Sequence, residues 1–219
     1  VRAMSGGEPR VGVLGLQGGV REHVELLESL GAKARVVRAP SDLVGPDGLR
    51  ADALVLPGGE SSTIDKLLRM FGLFEPLRDA IASGLPTLGT CAGLVLLARE
   101  VVDPAPGQQS LGVLDVTVRR NALGPQVDSA ETSLDTTLGP VQVAFIRAPV
   151  VTRLGPGVEP LATRDGHVVA VRQGVVTGLS FHPEVTGEPA FHQLLLADAA
   201  GRSRRRGPGI PGAPLRRVS

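Results

Sequence analysis

Leu85-Pro86-Thr87-Leu88-Gly89-Thr90-Cys91-Ala92-Gly93-Leu94-Val95-Leu96-Leu97-Ala98 places the only cysteine of the chain where a strand signal gives way to a helix signal. Leu85 to Leu88 reads as a short buried strand and Leu94 to Ala98 as the apolar start of a helix. A strand that turns sharply through Gly-x-Cys-x-Gly into a helix is the cysteine form of a nucleophile elbow. Glycines on either side avoid Cβ clashes in the turn, so the sulfur projects above the sheet edge, partly exposed. Free N–H groups and the dipole at the start of the next helix favour thiolate over thiol. The five residues alone leave a buried core cysteine as the competing reading.

Outward from the elbow, strand and helix signals alternate. Val11 to Leu16 reads as a buried strand, and Gln17-Gly18-Gly19 leads into a helix from Val20 to Leu30 with an apolar stripe at Val20, Val24, Leu27 and Leu30. Strands follow at Ala34 to Val37 and Ala53 to Leu56; Pro57-Gly58-Gly59-Glu60-Ser61-Ser62-Thr63 then turns into a helix, and another covers Glu75 to Ser83. This order predicts a single α/β domain built on a mostly parallel sheet with helices on both faces. Beyond Ala98 the signals shorten: Val113 to Arg119, Val141 to Ile146, and His167 to Val171 with Val175 to Phe181 around Gln173-Gly174 predict a small antiparallel extension. Pro189 to Ala199 reads as a closing helix. Ligands of open α/β sheets bind at the carboxyl ends of the strands, so the glycine turns at 17–19, 58–61 and 91–93 converge on one edge.

At 219 residues and 42% hydrophobic, the chain can bury a sizeable core. One cysteine excludes an intramolecular disulfide, which fits a reducing cytoplasm. No apolar run approaches the ~20 residues of a membrane span, and without Trp or Tyr there is little to stack on nucleic acid. The net charge of +1 conceals an asymmetry: residues 201–219 carry six arginines and no acid, leaving 17 basic against 22 acidic residues in the rest. The sequence is thus divided into a mobile arm over 1–10, a globular domain over 11–200 and a disordered Arg/Gly/Pro-rich tail over 201–219.

A nucleophilic cysteine needs a base, and the base needs an orienting group. Of the four histidines, His23 and His192 fall within helices and His167 follows a turn, so each reads as a surface or structural residue. His182 differs: it follows Val175 to Phe181 at the carboxyl end of a strand and opens His182-Pro183-Glu184. The proline stiffens the turn, which can hold Glu184 beside the imidazole, fix its tautomer and stabilise the imidazolium formed next to a thiolate.

Gly-x-Cys-x-Gly with a distant His-Pro-Glu resembles the triad glutamine amidotransferases, a family with a flavodoxin-like fold. Within them, the chain is similar to the glutaminase subunits of pyridoxal 5'-phosphate synthase. The resemblance spans Val11 to Ala199 and rests on Leu14 to Gly18, Arg21-Glu22-His23, Pro57 to Ser61, Gly89 to Gly93, Arg120-Asn121-Ala122, Phe145 to Pro149 and Phe181 to Glu184. It implies that Cys91 attacks the side-chain amide of glutamine, that His182 moves the proton and Glu184 orients it, and that Gly59 and Ala92 supply oxyanion N–H groups. It further implies that Gly59, Glu60, Ser61, Arg120, Ile146 and Arg147 hold the substrate. A zwitterion requires an anion for its ammonium and a guanidinium for its carboxylate, which Glu60 and the two arginines can provide. The implied partner is the synthase subunit that accepts the ammonia; no cofactor, metal, nucleic acid or membrane is expected.

The chain departs from the family at Ala122 to Gln126 and Ser129 to Glu131, where the expected aromatics are missing; this bears on loop packing and partner contact. Two other readings stay open. One is the glutaminase subunit of another amidotransferase such as imidazole glycerol phosphate synthase, against which the Gly-Gly-Glu-Ser turn argues. The other is a non-catalytic redox-sensing or chaperone-like protein of the same fold, against which His182-Pro183-Glu184 argues.

Overall fold

The computed structural model describes residues 8–122 and 130–206. In chain order the elements are β1 (Arg10–Leu14), α1 (Val20–Ser29), β2 (Lys33–Val37), α2 (Pro40–Leu43), the two-residue strands β3 (Val44–Gly45) and β4 (Gly48–Leu49), and β5 (Ala53–Leu56). Next come α3 (Ser61–Met70), α4 (Phe74–Ala82), β6 (Thr87–Thr90), α5 (Ala92–Leu97), β7 (Ala98–Val102), β8 (Leu114–Arg119) and β9 (Ala130–Thr136). The chain continues through β10 (Gly139–Phe145), β11 (Val150–Leu154), β12 (Glu159–Arg164), β13 (His167–Gln173), β14 (Val176–Leu179), α6 (Pro183–Thr186) and α7 (Ala190–Arg206).

Strands β2, β1, β5, β6 and β14 lie side by side in parallel, and β13 continues the sheet antiparallel to β14. From β13 the sheet extends antiparallel through β12, β9 and β10, while β11 links β13 to β8. The parallel core reads as an unbroken apolar run because both faces are covered. Along β5, Leu54 and Leu56 point into a core shared with α3, α4 and α5, whereas Ala53 and Val55 point into a second core with Leu27 of α1 and Phe191, Leu195 and Ala199 of α7.

The two ends of the domain differ from expectation. Arg10 already belongs to β1, where it is paired with Lys33, and its guanidinium sits 3.0 Å from Asp52. At the other end α7 runs on past Ala199 to Arg206 and takes in the first six residues of the expected tail. Burial would raise the Asp52 carboxyl, but its hydrogen bonds to Arg10 and the Arg10 charge bring it below its ordinary value, and the charge of Arg202 near the end of α7 adds a smaller part. Residues 1–7 and 207–219, the rest of the expected arm and tail, lie outside the described residues, as do 123–129 of the unusual loop.

The elbow is fixed by close backbone approach. A Cβ on Gly93 would run into the carbonyl oxygen of Leu56, and one on Gly89 would stand 2.7 Å from the Gly93 carbonyl carbon. Neither glycine has positive φ; the left-handed conformation belongs to Cys91, at φ 48°. Gly93→Ala is therefore an overpacking change against main chain that cannot swing aside, and it should lower stability by about 1–3 kcal/mol. Urea unfolding of the variant checks this, and a loss under about 0.5 kcal/mol would show that α5 can slide off β5.

Candidate active site

Cys91 is the residue between β6 and α5, with φ 48° and ψ −101°. Such a backbone costs a non-glycine residue on the order of 1–3 kcal/mol and persists only where its surroundings impose it. Here its N–H donates to the Leu179 carbonyl of β14 at 2.7 Å, and its own carbonyl accepts from Val95 N–H at 3.3 Å. The sulfur lies 3.8 Å from the Ile146 carbonyl oxygen. At 8% exposure the residue is more enclosed than the partly exposed thiol expected, because Ile146 and the neighbouring loops roof it. Ala92 is the first residue of α5, so its N–H has no acceptor within the helix.

His182 caps the start of α6 and is tied down by its N–H, which donates to Ala144 of β10 at 2.8 Å. Its Nδ1 lies 2.8 Å from Glu184 Oε1. Burial pushes the imidazole toward neutrality, but hydrogen bonds to Cys91 and Glu184, together with their charges, outweigh it and raise its pKa to about 10. Burial disfavours the Glu184 carboxylate as well; the His182 hydrogen bond, with the His182 charge, brings the carboxyl below its ordinary value. The arrangement favours an imidazolium between a sulfur and a carboxylate.

Around this group the carboxyl ends of the strands form one cleft of ≈ 790 Å³. It brings together every residue singled out from sequence: Cys91, His182, Glu184, Gly59, Glu60, Ser61, Ala92, Arg120, Ile146 and Arg147. The glycine turns interlock there. A Cβ on Gly58 would collide with His182 Cε1, and one on Gly18 with the Gly58 carbonyl oxygen. That oxygen accepts from Gly19 N–H at 3.2 Å, and Gln17 Oε1 accepts from Glu60 N–H at 2.8 Å. The orientation of the Gly58–Gly59 peptide is thus coupled to the 17–19 turn.

Glu60 and Arg120, expected at opposite ends of a zwitterion, bind each other at 2.9 Å. Glu60 also caps α3, accepting from the Ser62 hydroxyl at 2.6 Å and from Thr63 N–H at 2.7 Å. Burial would raise its pKa, but these bonds carry it down to about 2, so an anion is fixed at the cleft. Arg120 Nη1 donates to Gln108 Oε1 at 2.8 Å, and Gln108 Nε2 donates to Ser61 Oγ at 3.0 Å. Arg147 is exposed at φ 43° beside Ile146.

Sequence reasoning missed Gln108, which bridges Arg120 to Ser61 from a loop without a motif, and missed the partners behind Glu184. His23 and His192 are fully buried and bonded to each other at 2.8 Å. The signal for His23 was its place on the inner face of α1, four residues before Leu27; both are buried, whereas Val20 and Val24 are half-buried. Among the described residues, no group of three or more His, Cys, Asp or Glu is placed to hold a metal ion, and no helix is long and apolar enough to cross a membrane.

Comparison with known proteins identifies the family and the fold. A family model described as the SNO glutamine amidotransferase family matches residues 13–200. The pyridoxal 5'-phosphate synthase subunit PdxT of Clavibacter sepedonicus is 56% identical over 207 residues, covering 92% of this chain and 97% of the relative. The protein of the same name from Corynebacterium glutamicum is 53% identical over 192 residues, covering 85% and 94%. A crystal structure of a glutamine amidotransferase superposes with a TM-score of 0.79 at 48% identity, covering 87% of this chain and 98% of the other. A glutamine amidotransferase structure from Thermotoga maritima, at 15% identity and a TM-score of 0.57, shares the fold. With its elbow cysteine and His-Pro-Glu turn meeting in one cleft, the chain belongs to the SNO glutamine amidotransferase family.

Proposed function

We propose that the chain hydrolyses L-glutamine to L-glutamate and ammonia as the glutaminase subunit of a pyridoxal 5'-phosphate synthase. The observation that carries the reading is the 2.8 Å pair of His182 and Glu184 in the same cleft as Cys91, with His182 held as the imidazolium by both neighbours. The Cys91 thiolate attacks the amide carbon, and the oxyanion that develops is met by the N–H groups of Gly59 and Ala92. His182 gives its proton to the departing ammonia as the C–N bond breaks, leaving a thioester on Cys91. It then takes a proton from water, whose attack releases glutamate and restores the thiolate. The Glu60–Arg120 pair suits an amino acid: the ammonium replaces the guanidinium at Glu60 and the carboxylate replaces Glu60 at Arg120, with Ser61, Ile146 and Arg147 completing the pocket.

The acceptor of the ammonia is a separate synthase subunit, and its docking turns the glutaminase on. A peptide between two glycines rotates at little cost, and that of Gly58–Gly59 is held through Gly19 by the 17–19 turn. A partner that presses on this turn re-aims the peptide and presents the Gly59 N–H to the oxyanion. One such donor is worth roughly a hundred- to a thousandfold in rate.

Three measurements follow. Cys91→Ala should abolish glutamine hydrolysis while unfolding within about 1 kcal/mol of the parent; clear residual hydrolysis would identify another nucleophile. Glu184→Gln should be milder than His182→Asn. Because Glu184 helps raise the His182 pKa to about 10, its neutralisation lowers that value, so the alkaline limb of the pH–rate profile should move toward neutrality. An unmoved limb would remove Glu184 from the pair. Addition of a pyridoxal 5'-phosphate synthase subunit should raise the rate by about a hundredfold or more, and equal rates with and without it would end the gating proposal.

A further inference from the structure

The mechanism above uses one histidine, yet two more are buried directly behind it. His23 of α1 and His192 of α7 are both fully excluded from solvent, with His23 Nδ1 2.8 Å from His192 Nε2. The far side of the His23 ring faces the site: Nε2 lies 3.2 Å from Thr90 Oγ1, on the residue before Cys91, and 3.5 Å from Glu184 Oε1. We propose that His23 is a positioning residue for Glu184, held by His192 as the neutral Nε2–H tautomer so that its hydrogen lies on the side shared by Thr90 Oγ1 and the carboxylate.

The tautomers follow from what each atom meets. An ionised carboxylate only accepts, so a bare lone pair on His23 Nε2 would repel it, whereas an N–H there is attracted. With Nε2 protonated in a neutral ring, Nδ1 is the acceptor and His192 Nε2 must be the donor. His192 Nδ1 is then left without a hydrogen, and this atom is buried with no partner among the described residues. A stranded lone pair there avoids the greater cost of a stranded N–H.

The surroundings keep the pair neutral. His23 faces Glu184 of α6 and His182 just before that helix, His192 on α7, and Glu22 on its own helix. Burial lowers the proton affinity of both rings, that of His192 to about 3. Neutrality matters because a charged His23 would compete with His182 for the Glu184 charge. A neutral N–H aims the carboxylate and leaves its charge to the imidazolium. The need is real: among the described residues Glu184 Oε2 is buried with no side-chain partner, so Oε1 carries the side-chain contacts to both His182 and His23.

This inference rests on the glutaminase reading, and its test separates the two. Glutamine places its amide near the His23 Nε2 position, and asparagine reaches only the Nδ1 position toward His192. With the full chain and a synthase subunit present, His23→Gln should keep kcat within about threefold of the parent. His23→Asn should lose about tenfold or more in kcat with KM nearly unchanged. Its acid limb should move to higher pH, since a Glu184 deprived of a donor binds its proton more tightly. In a Glu184→Gln background the asparagine change should add less than about twofold, because the path runs through that carboxylate. Equal rates for the two variants, an unmoved acid limb, or a full additive loss would each overturn the proposal. Nitrogen-15 imidazole spectra of the parent decide the tautomer even if a variant fails to fold: a neutral Nε2–H ring at His23 supports the proposal, and an Nδ1–H or charged ring overturns it. A parent that releases no ammonia would instead overturn the glutaminase reading, and the spectra would still decide the histidine pair.

Discussion

The site depends on holding Cys91 in a backbone conformation that the residue would not adopt alone. Its left-handed φ of 48° turns the chain from β6 into α5 within one residue, so strand and helix must be locked before the sulfur is placed. The lock is steric and hydrogen-bonded at once. Gly93 packs on the Leu56 carbonyl, Gly89 on Gly93, and the Cys91 N–H is claimed by Leu179. The strain is offset by the packing of a fully apolar α5 into the larger core.

Parallel register does the rest of the positioning. Thr90 pairs with Leu179, so the chain leaves β6 and β14 at the same level. Cys91 comes one residue beyond that level and His182 three, close enough for their side chains to meet over the sheet edge. β5 and β1 deliver the Gly58–Gly59 and Gln17–Gly19 turns to the same edge, where contacts that tolerate no Cβ mesh them with each other and with His182. The glycines of this edge are there because backbone meets backbone or ring.

Much of this was legible in the chain. The alternation of strand and helix, the elbow and the His182-Pro183-Glu184 turn are local patterns with local causes, and the structure brings their residues into one cleft. The parts that escaped depend on tertiary contact. Gln108 has no motif and matters only because a loop carries it between Arg120 and Ser61. His23 and His192 lie 169 residues apart, and nothing in either helix announces that the rings meet. The end of α7 was misplaced for a related reason: a run of arginines reads as solvated tail, but the charge of Arg202 acts on Asp52 and the helix continues.

The central claim is that Cys91 is a nucleophile activated by His182 for the amide of glutamine. Incubation of the full chain with a glutamine analogue carrying an electrophile at the amide position, followed by peptide mapping of the adduct, tests it directly. The account predicts one adduct, on Cys91, suppressed by free glutamine and formed far more slowly in His182→Asn. Ammonia release from glutamine with Cys91 unmodified, or labelling at the same rate without His182, would contradict it.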